Sequence, residues 1–122
     1  MLTSMALAAA LMTQDPTAVM VEQQYESQEV AYDELVQGDF DGAIAMLEDA
    51  LAQNPGDPAI LINLGSAHAA AGNFERAEFY YTAARETDEH YELELANGRW
   101  VDSREAAMLA SATVEVRALA AR

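Results

Sequence analysis

The clearest spacing for a metal site surrounds position 42. Asp39, Asp41 and Glu48 fall at offsets that ligands occupy in the twelve-residue calcium loop of an EF-hand. Gly42 falls at the glycine position of that loop, but the first ligand, which should be an aspartate, is Gln37. Because that ligand is missing, we predict no metal site here. The same residues have a second explanation in the internal repeat described below.

The two histidines are the first candidates for acid–base chemistry, because an imidazole titrates near neutral pH. We expect His68 to be a packed, hydrogen-bonded core residue rather than a ligand or a base. His90 ends the acidic run 86–90, which is more typical of a solvated loop than of converging metal ligands. Ser66, His68 and Asp102 match a hydrolase triad in residue type, but no strained turn presents the serine and nothing supplies an oxyanion hole. We predict no catalytic residues, no cofactor and no enzymatic activity.

The composition indicates one small globular domain with a strongly acidic character. The chain has 122 residues with 21 acidic and 6 basic side chains, a net charge of −15, and every basic residue is an arginine. Nucleic acid and anionic membrane surfaces require clustered positive charge, so neither is an expected partner. The chain has no cysteine, which excludes a disulfide framework and a zinc–thiolate site.

The N-terminal residues 1–14 read as a segment separate from the fold. Residues 2–12 are apolar and rich in small side chains, and they are too few to span a bilayer as a helix. They resemble the apolar region of a secretory signal, with Ala8, Ala9 and Ala10 as a small-residue cleavage site, although no basic residue precedes them. The alternative is a disordered segment or an Ala-rich helical extension. Export predicts a periplasmic or secreted protein; otherwise we expect a cytoplasmic one.

A repeat with a period of 34 residues organises the middle of the chain, since Gly38-Asp39-Phe40 recurs as Gly72-Asn73-Phe74. Further pairs at the same shift are Ala43 and Ala77, Leu47 and Tyr81, and Ala50 and Ala84. The small residues allow two helices to approach closely, and the larger ones fill the space between them. The two glycines suit the left-handed position that ends a helix, and Asp57-Pro58 suits a helix start.

This pattern resembles the tetratricopeptide repeat family, whose unit is a helix–turn–helix of the same length. The second unit carries the resemblance most fully, in Leu61, Leu64-Gly65, His68, the turn at Gly72-Asn73-Phe74, Ala77, Tyr81 and Ala84. The first unit departs from the family at Glu34, where an aromatic residue is preferred. The resemblance covers residues 22–88. It implies an all-α fold with two helical hairpins within residues 16–88.

The period fails after residue 88, so residues 89–122 are expected to close the array. Residues 91–95 alternate apolar and acidic side chains, and Asn97-Gly98 is a strong hairpin signal. We favour a short β-hairpin or irregular segment over 89–101, with a helix of a degenerate third repeat as the alternative. Asp102 then caps a final helix over 103–121 that covers the last apolar face of the repeats.

Three aromatic residues follow one another in the second unit. Tyr81 holds the core position of the repeat, and neighbouring positions on a helix point about 100° apart. Phe79 and Tyr80 therefore cannot share its environment. We expect one of them to pack against the C-terminal hairpin and Trp100, and the other to be exposed.

The resemblance also implies a binding face, because in this family the first helices of successive units line a concave groove that holds partner segments. The residues implied for this face are Tyr32, Leu35, Ala59, Ile62, Asn63, Ser66, Ala69 and Ala70. The amide of Asn63 matches a position that holds peptide backbone in the family, and it is equally suited to bonding within the repeat. These positions carry no lysine or arginine, so capture of a C-terminal carboxylate is not expected.

These observations predict a non-enzymatic protein–protein interaction module. Charge complementarity favours a basic or apolar partner segment over an acidic one. An exported protein of this kind suits a role in envelope assembly. The alternative is a structural or self-associating helical-repeat protein that forms a homo-oligomer.

Overall fold

The computed structural model describes residues 21–22, 37–95 and 97–121. The elements in chain order are β1 (Val21–Glu22), α1 (Phe40–Gln53), α2 (Pro58–Ala70), α3 (Phe74–Glu86), β2 (Glu92–Leu95), β3 (Trp100–Asp102) and α4 (Ser103–Ala120). The predictions for residues 1–14, and those for Tyr32, Glu34 and Leu35, lie outside the described residues.

The helices α1 and α3 confirm the repeat. Each follows a glycine in the left-handed region, with φ of 81° at Gly38 and 84° at Gly72, a conformation that glycine adopts at low cost. The three matched pairs of small and large residues, Ala43 and Ala77, Leu47 and Tyr81, and Ala50 and Ala84, are all buried. The repeated residues therefore lie on one side of α1 and on one side of α3. These two sides face the same core.

Helix α2 lies at the centre of that core and contacts both α1 and α3. Its start is the predicted one: the Asp57 carboxylate accepts a hydrogen bond from the Ala59 amide at 3.0 Å, and Pro58 is the first helical residue. Every residue of α2 except Ala70 is buried. The helix carries no acidic or basic side chain other than His68, and a helix without a polar face is buried on all sides.

The predicted hairpin is confirmed for the segment after α3. Strands β2 and β3 are antiparallel, with Leu93 opposite Val101. Gly98 has a φ of 85°, and its amide donates to the Leu95 carbonyl oxygen at 2.8 Å. Leu93, Leu95 and Val101 are buried while Trp100 is exposed, which is the alternation expected of a two-faced sheet.

Strand β1 is an addition to the sequence analysis, which predicted two helical hairpins and no strand within residues 16–88. Val21 pairs with Leu95 and Glu22 with Glu94, so β1 is the third strand of the sheet, in the order β1-β2-β3. The edge of β2 that β3 leaves free offers unpaired backbone groups to an extended segment. A strand of two residues is too short to produce an alternating pattern, so local sequence does not reveal it.

Helix α4 is the predicted C-terminal capping helix. The Asp102 carboxylate accepts from the Arg104 amide at 2.9 Å and caps its first turn. The helix packs against α3 and α2 and also contacts β2 and β3. Its Ser111 hydroxyl lies 2.8 Å from both carboxylate oxygens of Glu78 on α3 and donates to that carboxylate.

The expectation for the consecutive aromatic residues was wrong about the hairpin. Tyr80 is buried and stacks on His68 of α2, with 5.5 Å between the ring centroids. Phe79 is 57% exposed and Trp100 is 62% exposed. The turn of the helix directs Tyr80 towards α2, and the hairpin presents its aliphatic face to the core, so Trp100 lies on its outer face.

Candidate partner-binding face

The predicted concave face of the second unit runs along α2 at helical spacing. Its described members are Ala59, Ile62, Asn63, Ser66, Ala69 and Ala70. The first five are at most 1% exposed, and Ala70 is half-buried. Tyr32 and Leu35 lie outside the described residues. The structure thus places the six residues together on one helix and buries five of them within the chain itself.

Tyr81 of α3 sets the distance between α2 and α3. A Cβ atom on Gly65 would overlap the Tyr81 ring, so only glycine permits this approach. The Tyr81 hydroxyl and the Ser66 hydroxyl are hydrogen-bonded at 3.0 Å, and both residues are fully buried. The Ser66 hydroxyl, assigned by the sequence analysis to a partner, therefore already has a bonding partner in the fold.

Two elements outside the repeated helices also pack against α2. Strand β1 contacts it, and so does α4. Near the end of α2, Arg117 of α4 donates from Nη1 to the Ala69 carbonyl oxygen at 3.5 Å, and its guanidinium lies 5.7 Å from the centroid of the Phe74 ring. With α1 and α3 on its other sides, α2 is surrounded. A partner reaches this face only after part of the cover has moved.

His68 confirms one half of its prediction and contradicts the other. It is packed in the core, 9% exposed, but its Nε2 atom has no hydrogen-bond partner among the residues that the structure describes. Burial is the main reason that the pKa of His68 lies below its ordinary value, and the nearby charge of Arg76 lowers it further, while Glu48 opposes the shift. The imidazole is therefore neutral at neutral pH and stacks on Tyr80 as an aromatic core residue.

The other candidates for chemistry have structural contacts. The Asp39 carboxylate accepts from the Gly42 amide at 2.9 Å and caps α1. His90 Nδ1 lies 3.7 Å from Asp102 Oδ2, and Asp102 also pairs with Arg104. Among the residues that the structure describes, no group of three or more histidine or acidic side chains is placed to hold a metal ion.

A second candidate surface was missed by the sequence analysis. Met108, Leu109, Val116 and Leu119 of α4 are 57%, 40%, 68% and 65% exposed. The sequence analysis treats this helix only as a cap and does not separate these four residues from Val114, which is buried. A helical projection would have separated them, because with 3.6 residues per turn Val114 lies on the side opposite the other four.

Comparison with known families identifies the repeat. A family model described as a tetratricopeptide repeat matches residues 35–97, just over half of the 122 residues. The matched range includes α1, α2, α3 and β2. No curated protein and no solved structure matches the chain. Of the helices in the described ranges, none is long and apolar enough to cross a membrane.

Proposed function

Because the chain belongs to the tetratricopeptide repeat family, we propose that it is a non-enzymatic module that binds a segment of a partner protein. The family is a non-catalytic repeat that mediates protein–protein interaction. The observation that carries the proposal is the family match over three helices that pack as the repeat requires, with Gly65 against Tyr81.

We place the partner segment on the concave face formed by Ala59, Ile62, Asn63, Ser66, Ala69 and Ala70, together with Tyr32 and Leu35. Five of these residues are buried within the chain, so binding has to be an exchange in which the partner replaces part of the chain's own cover. Strand β1 is the simplest element to replace. It has two residues and pairs with β2 at two positions.

The side chains of the concave face favour one class of partner segment. Its members are small, apolar or amide-bearing and include no cation, while the chain as a whole has a net charge of −15. A basic or apolar segment meets this surface without like-charge repulsion, and an acidic segment does not.

The test uses the one described member of the face that is half-buried. In Ala70→Arg, a long charged side chain stands at the end of the face, and Ala52→Arg adds the same side chain to an exposed position of α1. Both full-length chains are used as baits in cross-linked cell extracts, and captured proteins are quantified by mass spectrometry. We expect the partner to be depleted about tenfold by Ala70→Arg and retained by Ala52→Arg. Equal retention by both baits would contradict binding on this face.

We propose in addition that the protein is exported and acts in assembly of the cell envelope. The support is the apolar, small-residue composition of residues 2–12. Cell fractionation, followed by N-terminal sequencing of the recovered protein, is the test. A protein found in the periplasm or medium and lacking its first 10–15 residues agrees with export. An intact chain in the cytoplasmic fraction does not.

Self-association is a second candidate, because α4 leaves several large apolar side chains exposed. A homo-oligomer would bury them. Sedimentation equilibrium over a range of concentrations separates the two functions: a mass that rises with concentration supports self-association, and a constant mass near 13.2 kDa supports a monomeric module.

A further inference from the structure

The side of α4 that points away from the repeats forms a continuous apolar stripe. We call it the outer face; its members are Met108, Leu109, Ala112, Val116 and Leu119. All five are exposed. The opposite side of the same helix is buried and consists mainly of Ala106, Ala107, Ala110, Ser111 and Val114. The helix is therefore apolar on two sides, and only one of them is used by the chain.

The position of α4 in the array explains why the outer face is uncovered. Helix α2 contacts α1 and α3, and α3 contacts α2 and α4. Helix α4 contacts α3 and α2, and in the described ranges no further helix follows it. In a repeat array each helix is covered by its neighbours, so a helix with a neighbour on one side only exposes the side on which another helix would pack.

The dimensions of the outer face suit a helix. Met108 and Leu119 are eleven residues apart, which at 1.5 Å per residue is about 16 Å, or three helical turns. A partner helix with apolar residues at every third or fourth position presents a stripe of the same length. Four of the five members carry large side chains that are at least 40% exposed, which leaves much apolar area to bury.

The charges around the outer face indicate the character of the partner. Glu105 and Glu115 of α4, and Glu75 and Glu86 of the adjacent α3, are exposed, and none of them has an ion pair or a hydrogen bond within the described residues. The neighbouring arginines are engaged: the guanidinium groups of Arg76, Arg85, Arg104 and Arg117 each contact a ring, a hydroxyl, a carboxylate or a carbonyl oxygen. The groups without a partner within the described residues are therefore the four carboxylates; the arginines keep their positive charge, and the chain as a whole is acidic, with a net charge of −15.

A shallow groove on α3 extends this surface. It has a volume of about 310 Å³ and is lined by Glu75, Glu78, Phe79, Thr82, Ala83 and Glu86. The hydrogen bond from Ser111 of α4 to Glu78 places the groove directly beside α4. Its exposed Phe79 ring, which has Arg76 over it at 5.1 Å, is suited to an aliphatic stem, and the exposed carboxylates of Glu75 and Glu86 are suited to a cationic head. A lysine or arginine side chain has both.

We propose that the outer face of α4 docks an amphipathic helix of a partner protein, with an apolar stripe against α4 and lysine or arginine along the edge that faces α3. The proposal rests on the proposed function in one respect, that the chain binds proteins, and it names a second surface away from the concave face. A second copy of this chain is a poorer occupant, because two chains of charge −15 repel each other.

The direct test uses two synthetic helical peptides, each 18 residues long to match α4. Both have the same leucine stripe; one has lysine on the flanks and the other glutamate. Each is labelled with fluorescein and titrated with the full-length protein while anisotropy is recorded. We expect the Kd of the lysine peptide to be at least about tenfold lower than that of the glutamate peptide, and its binding to weaken with added salt.

Two variants locate the binding. Val116→Glu places a charge in the outer face, and Gln53→Glu adds the same charge to an exposed position of α1. Val116 is 68% exposed, so the melting temperature and circular dichroism spectrum should not change. We expect Val116→Glu to weaken binding of the lysine peptide about tenfold or more, and Gln53→Glu to have less than a twofold effect. Met108→Glu is a second probe at the other end of the stripe.

The inference is overturned if neither peptide binds, if both bind equally, or if Val116→Glu and Gln53→Glu behave alike. It is also overturned if sedimentation shows a dimer that Val116→Glu dissociates, since the occupant is then a second copy. The proposed function is tested separately with Ala70→Arg. A partner lost by Ala70→Arg, together with no peptide binding, would leave the function standing and remove this surface.

Discussion

Helices α2 and α4 have the same kind of N-terminal cap but differ in how much of their surface is buried. Each starts after an aspartate whose carboxylate accepts from the amide two residues later, at 3.0 Å in α2 and 2.9 Å in α4. Both are rich in alanine and aliphatic residues. Yet all of α2 except Ala70 is buried, whereas α4 buries one side and exposes a stripe of large apolar residues on the other.

The difference shows that the number of neighbouring elements, rather than the composition of the helix, decides whether an apolar side chain is buried or exposed. In α2 each apolar side chain meets another element and contributes to stability. In α4 about half of them are largely exposed, so they contribute less to stability and remain available for binding. The central helix should therefore be intolerant of substitution and the outer face tolerant.

The largest expected effect comes from placing a charge in α2. Leu64 is fully buried, so Leu64→Asp removes a packed side chain and buries an unpaired carboxylate, at a cost of about 4 kcal/mol or more. Leu119→Asp makes the same change on the outer face, where the side chain is 65% exposed, and should lower stability by about 1 kcal/mol or less, since only helix propensity and the helix dipole oppose it. Urea denaturation followed by circular dichroism measures both. Equal stabilities would mean that the two helices do not differ as described.

A smaller effect is expected where α2 approaches α3. Gly65→Ala introduces a Cβ atom that overlaps the Tyr81 ring, and we expect a loss of about 1–3 kcal/mol. The matched change on α4 is Ala112→Leu, an enlargement on the exposed outer face, which should cost little. Thermal unfolding of the two variants against the parent protein provides the comparison. A neutral Gly65→Ala would show that α2 and α3 can separate without cost.

The two capping aspartates should also differ. Asp57→Ala removes the cap of α2 and the partner of the Tyr91 hydroxyl, so a loss of about 1–2 kcal/mol is expected. Asp102 caps α4 from a half-buried position, and Arg104 beside it holds the pKa of that carboxyl below its usual range. Asp102→Ala should cost less than Asp57→Ala in the same urea titration. The reverse order would place more of the stability in α4 than in α2.

The smallest effect is a pH dependence that arises from α2. The pKa of His68 lies below its ordinary 6.5, mainly because of burial and next because of Arg76, with Glu48 opposing. Below pH 6.5 the unfolded chain therefore binds a proton that the folded chain resists, and the free energy of unfolding falls as the pH is lowered, until the pH reaches the folded pKa. His68→Phe should remove this slope between about pH 8 and pH 5.5. If the slope persists in the variant, His68 is not its source.

Much of the helical framework was predictable because its signals are local. The glycines at 38 and 72, the caps at Asp57 and Asp102 and the Asn-Gly turn each act on residues within one turn of themselves. The repeat then paired small and large residues that the structure places in one core. Strand β1 was not predictable in this way, because its pairing with Leu95 and Glu94 joins residues more than 70 positions apart.

The sequence indicated which helix carries each candidate site residue, but it did not indicate whether that residue is buried or exposed. Ala59, Ile62 and Ser66 recur on α2 at helical spacing, but their burial depends on elements distant in the chain, which no pattern in α2 reports. The exposure of Phe79 and Trp100 was likewise set by which elements pack nearby. His68 was placed in the core correctly, but its neighbours in sequence could not show that its Nε2 atom would have no hydrogen-bond partner within the described ranges.

The sequence by itself determined where helices begin and end, that two units repeat, that the last helix is capped and that the chain is strongly acidic. Each of these depends on bonds or charges that a short stretch of chain contains. Only the tertiary structure decided that the α2 residues predicted to bind a partner are mostly buried and that the outer face of α4 is exposed. The burial of a side chain depends on elements that are distant in the chain. Two helices of similar composition can therefore differ in which side chains they expose.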